Sequence, residues 1–146
     1  KISLAYKQDT VLLEKIKELS KVYLGDGGFL LHGDYYPGSW LKTLDGVKII
    51  DPEFCFWGPA EFDLSVMLAH TYLAQQNEIV RSSIIRHYQA PDGFNWNLTS
   101  QLAGVEILRR LIGLAQLPLS LDLNEKEELL AKARKMVLEP TSFHSI

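Results

Sequence analysis

A lone cysteine, few methionines, no long apolar run and no excess of positive charge set the first limits on this 146-residue chain. Cys55 has no second cysteine to pair with, so no disulfide inside the chain holds the fold. Its apolar surroundings, "EFCFWG", predict a buried, inert thiol suited to a reducing compartment. No stretch approaches the roughly 20 consecutive apolar residues that cross a bilayer. The N-terminal "KISLAYKQDT" has no signal-like apolar core either. We therefore expect a cytoplasmic protein with no membrane partner. Lysine and arginine number 15 against 18 acidic residues, a formal net charge of -3. That balance lacks the basic footprint needed to neutralise nucleic-acid phosphates, so nucleic acid is not an expected partner. Repeats and low-complexity tracts are also missing, and the first residue is Lys1, not methionine, which leads us to expect a piece of a longer protein.

What is present suffices for one compact domain, since 47% of residues are hydrophobic. Asp9 is placed to cap a helix reaching Leu24, with Leu12, Leu13, Ile16, Leu19 and Val22 as its apolar stripe, before Gly25, Gly27 and Gly28 stop it. Further helices are predicted from about Ala60 to Ala74 and from about Asn77 to Tyr88. A long one should run from a Thr99 or Ser100 cap to about Leu117, ahead of Pro118, and a last one from Asn124 to about Leu138. Between "WLKTL" and "VKIID" stands Asp45-Gly46, a dipeptide favoured in two-residue hairpin turns. Counting outward from that turn pairs Leu44 with Val47, Leu41 with Ile50 and Trp40 with Asp51. The expected fold class is α+β, predominantly helical, with one β-hairpin.

The chemistry gathers in two loops. "LHGDYYPGSW" carries His32, Gly33, Asp34 and Ser39, while "IIDPEFCFWGP" carries Asp51 and Glu53. The hairpin should return Asp51 to the neighbourhood of Ser39 and of the loop bearing Asp34. Three carboxylates crowded together would raise at least one pKa and cost stability, unless a cation sat among them. Magnesium suits such oxygen donors, because it takes one or two carboxylates and keeps water and phosphate oxygens as its other ligands. Each residue alone also has a plain reading as a turn or cap, and it is the combination that points to metal-assisted chemistry.

"HGDYYPGS" resembles the catalytic loop of the aminoglycoside phosphotransferase family, itself similar to the catalytic loop of protein kinases. "IIDPE" resembles the family's metal-binding strand end. Ser39, the Asp51-Pro52-Glu53-Phe54 run, then Gly58-Pro59 and Phe62-Asp63, look most like the methylthioribose kinase branch. The resemblance implies the C-terminal lobe of a protein-kinase-like fold with the hairpin at the active site. It also implies transfer of the γ-phosphoryl group of ATP to a hydroxyl of a small molecule, a sugar such as methylthioribose. In those roles Asp34 is the catalytic carboxylate and His32 belongs to the catalytic loop, its ring bonding that loop. Ser39, Asp51 and Glu53 would hold Mg2+, and Asp63 would stabilise the loop backbone, although an acidic residue in a first helical turn is explained by the macrodipole alone.

"GVEILRRLIGLAQ" sets Arg109 on a helical face with Leu102, Val105 and Ile112, where an unpaired guanidinium would be costly. Glu106, three and four residues before Arg109 and Arg110, offers plain intrahelical ion pairs. The resemblance implies that Arg109 and Arg110 bind the substrate. Tyr36, Trp40 and Trp57 suit either stacking or core packing, and His70 and His87 receive no role. A nucleotide-clamping lobe with its glycine loop and lysine is not visible, so the expected partners are ATP, a small-molecule acceptor, the missing N-terminal lobe and, as an open option, a second copy in a homodimer. The fragment alone should be inactive. Kinases acting on aminoglycosides, choline or another small alcohol, a non-catalytic kinase-like module, and a phosphohydrolase stand as alternatives.

Overall fold

The computed structural model of the chain describes residues 2–140. Helix α1 (Ile2–Lys7) leads into α2 (Thr10–Leu24). Asp9 caps α2 as expected, its Oδ1 accepting the Leu12 amide at 3.0 Å. The other oxygen, Oδ2, takes Arg134 Nε at 2.7 Å from a helix 125 residues away, so one carboxylate both starts a helix and docks it. Leu12 and Leu19 of the apolar stripe are buried, whereas Leu13 and Val22 stay exposed.

Four short strands follow, β1 (Phe29–Leu31), β2 (Trp40–Thr43), β3 (Gly46–Ile49) and β4 (Phe56–Gly58). They form two antiparallel pairs, β2 with β3 and β1 with β4. The hairpin is present, but its register differs from the one counted above: Thr43 faces Gly46, Lys42 faces Val47 and Trp40 faces Ile49. Leu44 and Asp45 therefore make the turn, and Gly46, at φ 107°, takes the left-handed position that closes it. A two-residue slip preserves which side chains share a face, because the strand period is two. The β1–β4 pair joins Leu31 to Phe56 across the loops of interest and was not foreseen.

Helices α3 (Glu61–Leu73), α4 (Glu78–His87), α5 (Trp96–Ile112) and α6 (Leu123–Leu138) complete the chain. The core lies where α5 packs against α3 on one side and α6 on the other, around Leu64, Leu68, Ala103, Ile107, Leu130, Ala133 and Val137. Gly104 permits this close crossing, since a Cβ there would come 2.7 Å from the Ala133 carbonyl oxygen. Helix α5 starts earlier than predicted. Asn95 caps it, accepting the Asn97 and Leu98 amides at 3.0 and 3.1 Å, while Thr99 and Ser100 are buried within the helix. The Asn95 amide is itself taken at 2.7 Å by the buried Glu61 carboxylate of α3, which fixes where α5 can begin. The helix ends at Ile112 with Gly113 as its C-cap, short of Leu117. Helix α6 starts at Leu123, one residue before the expected Asn124, and Asp122 caps it with a reciprocal Glu125 capping box. Cys55 is exposed, not buried, because the 3-10 turn at Pro52–Phe54 lifts it away from the core. Among the described residues no helix is long and apolar enough to cross a membrane.

Candidate functional site

The segment after β1 is held from behind. Asp63, in the first turn of α3, accepts the His32 amide on Oδ2 at 2.7 Å and the Gly33 amide on Oδ1 at 3.0 Å. Gly33 turns the chain at φ 84°, and a Cβ there would lie 2.2 Å from the Phe54 carbonyl oxygen, so the two candidate loops touch at a point only glycine allows. The Asp34 amide donates to His32 Nδ1 at 3.3 Å, which makes Nδ1 the bare nitrogen. Nε2 then carries the proton and donates to the Ile50 carbonyl at 2.8 Å. His32 thus ties the first loop to the residue immediately before Asp51.

Two further bonds shape the loop around Asp34. The buried Ser39 hydroxyl donates to the Asp34 carbonyl at 2.8 Å, and the Ser39 carbonyl accepts the Ile50 amide at 2.9 Å. The Asp34 carboxylate meets Arg110, whose Nη2 donates to Oδ1 at 3.0 Å across 76 residues of sequence. Asp34 Oδ2 has no partner among the described residues.

Asp51 sits in the left-handed region at φ 59°, φ values a non-glycine residue seldom takes, and starts the 3-10 turn that carries Glu53. Both carboxylates are exposed and without a hydrogen-bond or ion-pair partner among the described residues. The expected crowding of Asp34, Asp51 and Glu53 is not found: among the described residues no three His, Cys, Asp or Glu side chains converge to hold an ion by themselves. Arg110 supplies the charge that meets Asp34 instead.

The arginine pair is arranged differently from the helical-face reading. Arg109, expected among apolar neighbours, has a side chain 45% exposed, whereas that of Arg110 is 11% exposed. Both grip Glu106: Arg109 through Nε at 2.6 Å and Nη2 at 2.9 Å, Arg110 through Nε at 2.7 Å. Burial alone would raise the Glu106 carboxyl, but contacts from His70, Arg109 and Arg110 outweigh it and hold it at about 2. His70, to which the sequence reading gave no role, lies buried with Nε2 3.5 Å from Glu106 Oε1, a charge contact too long for a hydrogen bond, and that nitrogen has no hydrogen-bond partner among the described residues. Its ring stacks on Tyr36 with centroids 4.6 Å apart, and Arg110 lies over the same tyrosine. Trp40 packs on Tyr35 and Trp57 is exposed, so neither faces this group.

Asp34, Glu106, Arg109 and Arg110 share one cleft of about 530 Å³, walled on its apolar side by Leu19, Phe62, Val66 and Leu102. A carboxylate with one oxygen held by a guanidinium and the other unpartnered, on a loop pinned at both ends, can orient a hydroxyl without itself moving.

A model of the phosphotransferase enzyme family matches residues 11–99. The chain belongs to this phosphotransferase family. Its curated relatives in the family include methylthioribose kinases. That of Geobacillus thermodenitrificans is 30% identical over 161 residues, covering 88% of this chain and 40% of the relative. That of Exiguobacterium sibiricum is 27% identical, covering 73% and 36%. Methylthioribose kinase 1 of Oryza sativa subsp. japonica is 39% identical over 70 residues, 48% of this chain and 16% of the relative. The chain thus spans less than half the length of these phosphotransferase relatives. The helix-rich fold with small antiparallel sheets is consistent with the C-terminal lobe of this family.

Proposed function

We propose that the chain is the catalytic lobe of an ATP-dependent small-molecule kinase, and that its acceptor is a sugar hydroxyl such as that of methylthioribose. The observation that carries this reading is Asp34, fixed by Asp63 through the neighbouring backbone and by Arg110 on one oxygen, at the edge of a cleft that also holds the arginine pair. In this reading Asp34 Oδ2 receives the hydrogen bond of the attacking hydroxyl and takes its proton late, since phosphoryl transfer proceeds through a loose transition state. Positioning supplies most of the rate, which is why a rigid loop matters more than a strong base. His32 keeps the two loops in register, and Arg109 and Arg110 bind the acceptor with the donors that Glu106 leaves over.

The donors fit a magnesium ion. Ser39, Asp51 and Glu53 offer only oxygen, and the two carboxylates are exposed and unpartnered among the described residues, as suits an ion that retains waters and phosphate oxygens. Those three residues would hold it, and when bound it would neutralise charge on the nucleotide's phosphates. Ser39 already donates its proton to Asp34, so its lone pairs are what it has to offer.

We further propose that an N-terminal nucleotide-clamping lobe completes the site. Both strand pairs expose large apolar side chains, Leu30 63% and Trp57 62% on one and Val47 64% on the other, which a packed N-terminal lobe would cover. The fragment alone should then be inactive. The test uses the full-length protein with ATP, magnesium and a panel of sugars. Acceptor-dependent ADP release that is abolished in Asp34→Ala, with nucleotide binding retained, is the expected result. Normal turnover in that variant would remove Asp34 from the chemistry, and no release with any acceptor would leave a non-catalytic binding module as the better reading.

A further inference from the structure

We propose that Glu106 is a positioning residue of the transfer site, which aims Arg110 at Asp34 and balances the charge of the acceptor cleft so that it admits a neutral polyol and not an anion. The inference rests on the kinase reading. An i,i+3 or i,i+4 ion pair on a helix is ordinarily a solvent-exposed feature of small worth. Glu106 differs, for its side chain is 8% exposed and it takes the Nε edges of two consecutive arginines. Residues three and four positions on lie side by side one turn along the helix, so a single carboxylate can reach both.

The consequence is directional. With Nε held by Glu106 Oε1 at 2.7 Å, the planar guanidinium of Arg110 has one orientation left, and in it Nη2 meets Asp34 Oδ1 at 3.0 Å. Free of Glu106, the same side chain would have several rotamers and no fixed aim. The contact reaches the catalytic loop by a second route as well, through His70, which stands 3.5 Å from Glu106 and stacks on Tyr36.

Charge follows from the same four residues. Two adjacent guanidiniums alone would make a strong site for phosphate or carboxylate. Here they face two carboxylates, Glu106 and Asp34, so the cleft carries no net positive charge to attract an anion. What remains are hydrogen-bond donors on each guanidinium, suited to the oxygens of a neutral polyol. A phosphorylated product, doubly charged, is not retained.

The test separates aim from charge. Glu106→Gln keeps the shape and removes the charge, while Glu106→Asp keeps the charge and withdraws the carboxylate by one methylene. Inorganic phosphate is titrated calorimetrically into the chain and its variants, each verified as folded by circular dichroism. E106Q should bind phosphate about tenfold or more tightly than the wild type, and equal affinity would overturn the charge balance. E106D should keep the wild-type phosphate affinity. In the full-length protein E106D should lose about tenfold in kcat with the nucleotide KM unchanged, and a wild-type kcat would overturn the positioning role. Should E106Q not fold, Asp34→Asn removes the other carboxylate and must likewise raise phosphate affinity, or the balance is refuted. Failure of the kinase reading is distinct, because it appears as a wild type that consumes no ATP with any acceptor, an outcome on which the phosphate titration does not depend.

Discussion

Replacing Asp63 discriminates between two reasons for an acidic residue at that position. If it serves only the α3 macrodipole, its removal costs about 0.3–1 kcal/mol and leaves the loop in front of it undisturbed. The geometry says otherwise, since each carboxylate oxygen accepts one backbone amide, from His32 at 2.7 Å and from Gly33 at 3.0 Å. Hydrogen bonds to a charged acceptor contribute about 1.5–3 kcal/mol apiece, and solvent can reach this half-buried pair and recover part of the loss. Asp63→Ala should therefore destabilise by about 2–4 kcal/mol. Asp63→Asn, with one carbonyl oxygen and an NH2 group turned toward the other amide, should cost roughly half as much. Urea unfolding followed by tryptophan fluorescence measures the global term, and hydrogen exchange at the His32 and Gly33 amides measures the local one. Exchange at Gly33 should accelerate in both variants. A loss below about 1 kcal/mol in Asp63→Ala, with Gly33 protection unchanged, would return Asp63 to the helix-dipole role alone.

Other consequences follow from the same structure. Asp51→Ala in the full-length protein should chiefly weaken the magnesium nucleotide, raising its KM while the acceptor KM stays put. Gly33→Ala forces a side chain into φ 84° and against the Phe54 carbonyl, so it should cost roughly 2–3 kcal/mol in urea unfolding and disorder the contact between the loops. Ile107, fully buried where α5 meets its neighbours, should cost about 2–5 kcal/mol on truncation to alanine, read as a fall in the urea midpoint at constant m-value. Glu106 gives a pH signature. Its folded-state pKa of about 2 lies below its ordinary value of 4.5, so the stabilisation is complete above pH 4.5 and is lost as pH falls toward about 2. Glu106→Gln should flatten the acid limb of the stability profile between those values, and an unchanged limb would refute the assignment.

Local signals proved legible where a single residue decides a local outcome, and less so where distant chain segments compete. Asp9 at the start of α2 is an example of the first kind, because a cap acts on its own next turn. Helix α5 is of the second. Thr99 and Ser100 are good caps by type, but a capping site must lie at the surface, and these two are drawn inside by packing against α3 and α6. Asn95 wins because Glu61, 34 residues away, holds its amide, and because Phe94 and Trp96 stack with Tyr88 around the turn. The hairpin shows the same division, for Asp45-Gly46 marked the turn while the loop closed one residue earlier, which its short strands could not dictate.

The candidate site follows that rule with more at stake. Every residue with a proposed role was visible as a chemical type, yet the partner of Asp34 was not, because a contact spanning 76 residues has no local signature. Carboxylates brought near one another by a hairpin suggested that a cation must relieve their repulsion. Instead Asp34 is met by Arg110, which Glu106 in turn restrains, while Asp51 and Glu53 are open to solvent. On the kinase reading proposed above, the two loops would do different work: one holds a fixed carboxylate, compensated by Arg110, for the acceptor, and the other keeps exposed oxygens for a cation that arrives with the nucleotide. A site built this way need not tolerate crowded negative charge, since Asp34 is paired with Arg110 and the unpartnered carboxylates of Asp51 and Glu53 lie in water.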